Sequence, residues 1–244
     1  MNSSKIFSLG IVGLGTVGVA TIELLEKQLS NINNKSGKKI IIKAICAKNK
    51  NKSRNIDISK YNWEESPMRL TEREDIDAIV ELIGGSDGLA KKLAYSSIKN
   101  KKHFITANKA LIAKHGYDLH KKALNQDVTI YYEAAVAGAI PVINSIKNGL
   151  VSNNIIGIHA ILNGTCNYIL SDMTNNSKSF KESLIEAKKL GFAEADPTFD
   201  IDGVDSAHKL VILGLLAYGA KPDIDKVYIE GITSITGEDI KYAD

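Results

Sequence analysis

The sequence predicts an α/β protein: a mostly parallel sheet with helices on both faces, followed by a smaller α+β region. Three observations carry this. Strand-like and helix-like segments alternate through the first half, the pattern of parallel strands joined by crossover helices. A glycine-rich turn directly follows the first strand and opens an amphipathic helix. Beyond Gly138 the alternation ends, and short helices surround one long apolar helix.

Each element has a local reason. KIFSLGIVG reads as a buried strand, and TVGVATIELLEKQL carries apolar residues at helical spacing before a polar SNINNKSGKK loop. IIIKAICA, rich in β-branched residues, is a second strand. DIDAIVELIGG is another, ended by a glycine pair that favours a tight turn. Ser86 and Asp87 are placed to cap a helix through LAKKLAYSSIKN. HFITA is a further strand and, after NKALIAKHGYDLHKKALN, the run VTIYYEAAV completes the series. Pro141 suits the first turn of a helix through VINSIKNGL. NIIGIHAIL reads as a strand, and Asn163 as the cap of a helix, TCNYILSDM. Ser179 and Glu182 form a capping box before FKESLIEAKKL, with Gly191 as the stop. Asp202 or Gly203 starts the long apolar helix, and KVYIEGITSI looks like a strand. Thr236 and Asp239 resemble the start of a helix too short to be stable alone. The expected division is 1–137 and 138–244, the second part incomplete.

Bulk properties exclude several functions. With 44% hydrophobic and 24% charged residues in 244, the composition is that of an ordinary globular chain. A net charge of +3 is too small to argue for nucleic acid, and no arginine-rich stripe or aromatic stacking pattern accompanies it. Cys46 and Cys166 lie far apart without metal-ligand spacing, so no disulfide framework is indicated and a reduced, cytoplasmic setting is the default. The start, MNSSKIFSLGIVGLGTVGVA, superficially suits a signal peptide, but Gly10, Gly13, Gly15 and Gly18 weaken its apolar run. No stretch reaches the roughly 18 uninterrupted apolar residues of a membrane span, and no membrane partner is expected.

GLGTVG, comprising Gly13, Leu14, Gly15, Thr16, Val17 and Gly18, fits GxGxxG between a strand and a helix. The first glycine permits a sharp turn, the second lets backbone approach a pyrophosphate, and the third allows close strand–helix packing. The helix N-terminus then faces the phosphate charge, and a dinucleotide is expected on Gly13, Gly15, Thr16, Val17 and Gly18. After the second strand an NAD-preferring site places a carboxylate. This chain has CAKNKNKSR instead, with Lys48, Lys50, Lys52 and Arg54. Cations suit a 2′-phosphate, so NADP is favoured with Lys48 as a contact, while NAD use and a merely solvated lysine loop stay open.

AEADPTFDIDGVDSAHK holds Glu194, Asp196, Asp200, Asp202 and Asp205 before Lys209, which leads into LVILGLLAYG. A calcium loop fails: with Thr198, Asp200, Asp202 and Gly203 at the first loop positions, Lys209 falls where a bidentate glutamate is required. Asp196, Asp200 and Asp202 read best as turn and cap residues. Asp205 and Lys209 share one helix face, and the following helix is apolar all round. Lys209 must therefore be partnered or face a polar cavity.

Together GLGTVG, ELIGG at 81–85, TANKALI at 106–112, EAAVAGAIPVI at 133–143, NGTCNYIL at 163–170 and GFAEADPTFDIDGVDSAHK at 191–209 resemble the homoserine dehydrogenase family, in order and over nearly the whole chain. The resemblance implies a Rossmann-like dinucleotide-binding domain joined to a smaller α+β catalytic domain, in a homodimer. It implies reversible reduction of aspartate 4-semialdehyde to homoserine with a nicotinamide cofactor, on the route to threonine and methionine. By the same match Lys209 is the proton donor and acceptor, and Asp205 and Glu194 bind substrate. Gly191 and Glu194 lie near the cofactor, and Lys109 contacts the cofactor and substrate region. Glu133, Val136, Gly138 and Ile140 match a monovalent cation site, usually sodium, built chiefly from backbone carbonyls. Family members continue past residue 244, so the chain is expected to be C-terminally truncated. Cys166 stands where the family often has threonine. His208 points to another helix face than Lys209 and reads as structural.

Two rival readings stay open from the residues alone. A semialdehyde dehydrogenase would use Cys166 as nucleophile, which needs an activating base or cationic setting. A dinucleotide-sensing module would need only the glycine turn.

Overall fold

Strand β1 (Lys5–Val12) is buried on both faces from Ser8 onward, as a strand at the centre of a covered sheet must be. In the computed structural model, which describes residues 5–219 and 221–243, it pairs in parallel with β2 (Lys38–Cys46) and β4 (Ala78–Glu81). β3 (Asn62–Trp63) adds to β2, β5 (His103–Thr106) to β4, and β6 (Ile130–Tyr131) to β5, all parallel. The resulting order is β3-β2-β1-β4-β5-β6. The strand order reverses between β1 and β4, where α/β sheets open a crevice beyond their C-terminal ends. The chain divides into two compact units, Met1–Val142 and Ile143–Asp244.

In the first unit, α1 (Thr16–Ser36) runs through most of the stretch expected to be a loop. Asn33 explains the extension: its side chain accepts a bond from the Ile40 amide of β2, 2.9 Å away, and its carbonyl receives the amide of Gly37, which stops the helix at φ 66°. Helix α2 (Pro67–Glu72) starts behind a Ser66 cap. The core beneath α1 gathers Leu9, Ile11, Leu14, Ile22, Ile45, Ala78 and Val80.

Helix α3 (Leu89–Lys99) is not capped by Ser86 or Asp87. Its first turn follows Gly88 without a side-chain cap. Asp87 instead bonds Lys114 at 2.6 Å and His115 at 3.0 Å, both in α4 (Lys109–Asn125). Lys114 foremost, then the Ser86 hydroxyl (2.9 Å) and His115, hold its carboxyl well below the usual carboxylate range. Of VTIYYEAAV only Ile130 and Tyr131 are strand, because Glu133–Ala135 winds into a 3-10 turn at the sheet's edge. The unit boundary falls within α5 (Val142–Asn144), which begins just after Pro141 and continues as a π turn through Ser145–Gly149.

The second unit is helical among the described residues: α6 (Gly164–Asn176), α7 (Phe180–Lys189), α8 (Thr198–Ile201), α9 (Val204–Tyr218) and α10 (Gly237–Ala243). Asn163 caps α6, and the Ser179–Glu182 capping box opens α7. Gly191 follows α7 at φ 80° and Gly203 precedes α9 at φ 83°. The Thr236 and Asp239 side chains reciprocally bond the backbone at the start of α10. Ile169, Met173, Ala187 and Ala193 form a small core.

NIIGIHAIL and KVYIEGITSI were expected as strands, and the structure corrects both: neither pairs with another strand. Their apolar residues follow strand-like patterns, yet an extended segment becomes a strand only when a neighbour takes its backbone groups. Ile156 and Ile161 are accordingly 94% and 80% exposed. The second segment docks differently, with the Ile232 amide bonded to the Ile201 carbonyl at 2.9 Å. Gly231 lies so close to Ile201 that an added Cβ would sit 2.7 Å from its carbonyl oxygen.

Candidate functional site

The glycine turn caps the central strand of the first unit. Gly13 turns at φ 101°, and a Cβ there would lie 2.5 Å from the Leu82 carbonyl oxygen. Gly18 packs against the Gly13 carbonyl so closely that any side chain would collide with it. Gly15 differs, because an added Cβ would meet nothing within 4 Å. Gly15 and Thr16 are exposed, Val17 is 57% exposed, and Gly15 caps α1 without any side-chain bond. The helix thus presents unsatisfied amides beside an open glycine, a cradle for a phosphate. This structure fits a dinucleotide's pyrophosphate.

The cationic loop after β2 is more differentiated than its sequence. Lys48 is exposed, and the Lys50 ammonium lies 5.8 Å from the Trp63 ring centre. Arg54 donates to the carbonyls of Leu14 (3.2 Å), Asn49 (2.6 Å), Lys50 (3.3 Å) and Lys52 (2.7 Å). Its guanidinium therefore stitches the loop to the glycine turn. A planar fork of fixed donors suits that task better than an ammonium.

At the ends of β4 and β5, Lys109 is half-buried at the first turn of α4, behind the Asn108 cap, whose side chain accepts from the Leu111 amide. Glu133 is half-buried, Val136 is fully buried, and Gly138 and Ile140 are exposed. Ala137 and Ala139 have φ values of 50° and 70°, so the chain curls twice over this stretch. The Ile140 carbonyl already accepts from the Val142 amide at 2.8 Å. A carbonyl has a second lone pair, and an all-oxygen donor set suits a hard cation. In donor chemistry, three backbone carbonyls and the Glu133 carboxylate match what such an ion takes.

The second unit assembles the carboxylate–lysine network. The Lys209 ammonium, with its side chain 17% exposed, donates to Asp205 Oδ2 at 2.6 Å and to the Leu162 carbonyl at 2.5 Å. Its third N–H is free among the described residues. Asp205 is buried, its side chain 3% exposed, and its Oδ2 also accepts from Asn163 Nδ2 at 2.9 Å. Asn163 reaches Asp200 Oδ1 at 2.8 Å with the same amide, and Thr165 bonds Asp200 Oδ2 at 3.1 Å. The Thr165 hydroxyl also lies 2.8 Å from the Phe192 carbonyl, tethering the loop that carries Gly191 and the exposed Glu194. In the sequence Asn163 reads as a cap and Asp200 as a turn residue. Their second role leaves no local signal, because α6 and α8 meet only in the fold.

Cys166 does not suit nucleophilic catalysis. Its thiol donates to the Asp200 carbonyl at 3.2 Å, and burial, reinforced by Asp200 and Asp205, pushes its pKa up to about 11. Thiolate formation needs the opposite surroundings. The His208 ring meets Phe199 edge-on, 5.4 Å between ring centres, as a packing residue would.

A six-stranded parallel sheet with this glycine turn at its strand-order reversal defines the class: a Rossmann-type dinucleotide-binding fold. A family model for the homoserine dehydrogenase NAD-binding domain matches residues 13–133, and one for homoserine dehydrogenase matches 141–244. The homoserine dehydrogenase of Neisseria gonorrhoeae is 42% identical over 240 residues, covering 98% of this chain and 55% of that protein. The homoserine dehydrogenase of Pseudomonas aeruginosa is 44% identical with the same coverage. The crystal structure of a homoserine dehydrogenase from Thiobacillus denitrificans superposes with a TM-score of 0.90 at 40% identity, covering 98% of this chain and 55% of that one. The chain belongs to the homoserine dehydrogenase family. It spans about half the length of the curated relatives it matches.

Proposed function

We propose that the protein catalyses the NAD(P)-dependent, reversible reduction of L-aspartate 4-semialdehyde to L-homoserine. The observation that carries this is the Lys209 ammonium, mostly enclosed, fixed by Asp205 and the Leu162 carbonyl, with one proton left over. A bound reduced nicotinamide supplies hydride to the aldehyde carbon. Lys209 then gives its proton to the alkoxide oxygen, and takes one back in the reverse direction. Asp205 and Glu194 add negative charge for the substrate ammonium, while Asn163 keeps Asp205 oriented.

Residues 1–137 serve the cofactor through Gly13, Gly15, Thr16, Val17, Gly18, Lys48 and Lys109, and residues 138–244 serve catalysis and dimerisation, with Gly191 and Glu194 near the cofactor. The lysines after β2, without an acid, favour NADP over NAD. Glu133, Val136, Gly138 and Ile140 hold a sodium ion. The protein works in the cytoplasm, in threonine and methionine biosynthesis. No helix among the described residues is long and apolar enough to cross a membrane.

The test is homoserine oxidation followed at 340 nm with NADP and with NAD, for this chain and for the full-length protein. Turnover by the full-length protein that is lost in Lys209→Ala is the expected result. Undiminished turnover in Lys209→Ala would overturn the reading.

A further inference from the structure

Glu81 is fully buried at the C-terminal end of β4, yet it faces no cation in any ion pair among the described residues. A buried carboxylate is costly unless hydrogen bonds replace its water. Here Oε1 accepts from the amides of Ile83 (2.8 Å) and Gly84 (2.9 Å), and Oε2 from the Thr106 hydroxyl (2.6 Å). Thr106 in turn accepts from the Asn108 amide at 2.9 Å, and Asn108 Nδ2 donates to the Gly85 carbonyl at 2.7 Å. The chain of bonds closes a ring over the ends of two neighbouring strands, where Glu81 and Thr106 are register partners.

The ring fixes two things that face outward. Gly84 and Gly85 adopt φ values of 77° and 84°, and an added Cβ at either would meet nothing within 4 Å. Asn108 caps α4, so its orientation also sets Lys109 in the first turn. Leu82 and Ile83 lie directly against Gly13, which joins this ring to the glycine turn.

A dinucleotide lies across the point where strand order reverses, its pyrophosphate on α1. The cationic loop that suits the 2′-phosphate follows β2, on one side of β1. The other half of the cofactor then falls over β4 and β5, where the Glu81 ring sits. We propose that Glu81 is a positioning residue for the nicotinamide half of the cofactor, acting through the Gly84–Gly85 turn and, by way of Thr106, through Asn108. This rests on the cofactor binding proposed above.

The experiment compares NADPH with 2′,5′-ADP, which carries only the adenosine half, by calorimetric titration of the full-length protein. Thr106→Val removes the relay hydroxyl while leaving both backbone bonds to Glu81, and Thr106→Ser restores it. Glu81→Gln keeps shape but presents an amide donor to one set of partners. NADPH affinity should fall by about tenfold in Thr106→Val and Glu81→Gln, and return in Thr106→Ser. Affinity for 2′,5′-ADP should stay within about twofold throughout. Parallel loss of both ligands, or no loss of either, overturns the inference, because a merely structural ring does not distinguish the two halves. Should Thr106→Val fail to fold, Glu81→Gln decides by the same ratio. A wild-type protein that binds 2′,5′-ADP and NADPH with equal affinity overturns it as well. One that binds neither overturns the cofactor reading itself.

Discussion

Lys209 Nζ lies 2.6 Å from Asp205 Oδ2, one helical turn apart in α9, and the pair is enclosed rather than solvated. Such spacing on an exposed helix contributes only a few tenths of a kcal/mol. Enclosure changes its weight, since the same attraction acts where water screens it less.

For this pair the first expectation is kinetic. Lys209→Ala should lower kcat for homoserine oxidation by about 100-fold to 10,000-fold, the range for losing a general acid–base group. Cofactor affinity, measured by fluorescence titration, should hold. Equal loss of cofactor binding would place the lysine at the nucleotide instead.

Removing Asp205 tests the other half. Asp205→Ala leaves an enclosed ammonium with only the Leu162 carbonyl and deprives Asn163 of one acceptor. A loss of about 3 kcal/mol in urea unfolding is expected, as for breaking a mostly buried ion pair from one side. A change under about 0.5 kcal/mol would mean the pair is effectively solvated.

Two glycines of the turn should separate folding from binding. Gly15→Ala adds a methyl into open space, so thermal stability should hold while NADPH binding weakens by about tenfold or more. Gly18→Ala drives a methyl into the Gly13 carbonyl and should lower the melting temperature itself. Identical behaviour of the two variants would refute the assigned roles.

Cys166 offers a pH test. Its folded pKa is raised from 9.0 to about 11 by burial, so the unfolded chain ionises first as pH rises. Stability associated with the neutral thiol is complete below pH 9 and is lost between pH 9 and about 11. Cys46, pushed up to about 11 by burial as well, acts in the same window, so Cys166→Ser should lessen that part of the pH dependence rather than abolish it, and retain most turnover. Near-complete loss of turnover would revive the nucleophile reading.

Much was legible where a local rule governs. The Ser179–Glu182 box, the Asn163 cap and the glycine turn each depend on residues within a few positions of one another. Ser66 and Pro67 mark the start of α2 by the same kind of rule. Asp87 misled because a good capping residue found better partners in Lys114 and His115, distant in sequence.

By itself the sequence determined the β-α alternation, the placement of the phosphate cradle and the nature of the residues around Lys209. These follow from periodicity, backbone conformation and side-chain chemistry, all short-range properties. Only the tertiary structure decided which carboxylates meet the lysine, that Arg54 serves the backbone, and that Glu81 closes a ring with Thr106 and Asn108. It also decided that residues 154–162 form no strand. A hydrogen bond across the fold depends on both partners arriving, and pairing of that kind has no periodicity to read.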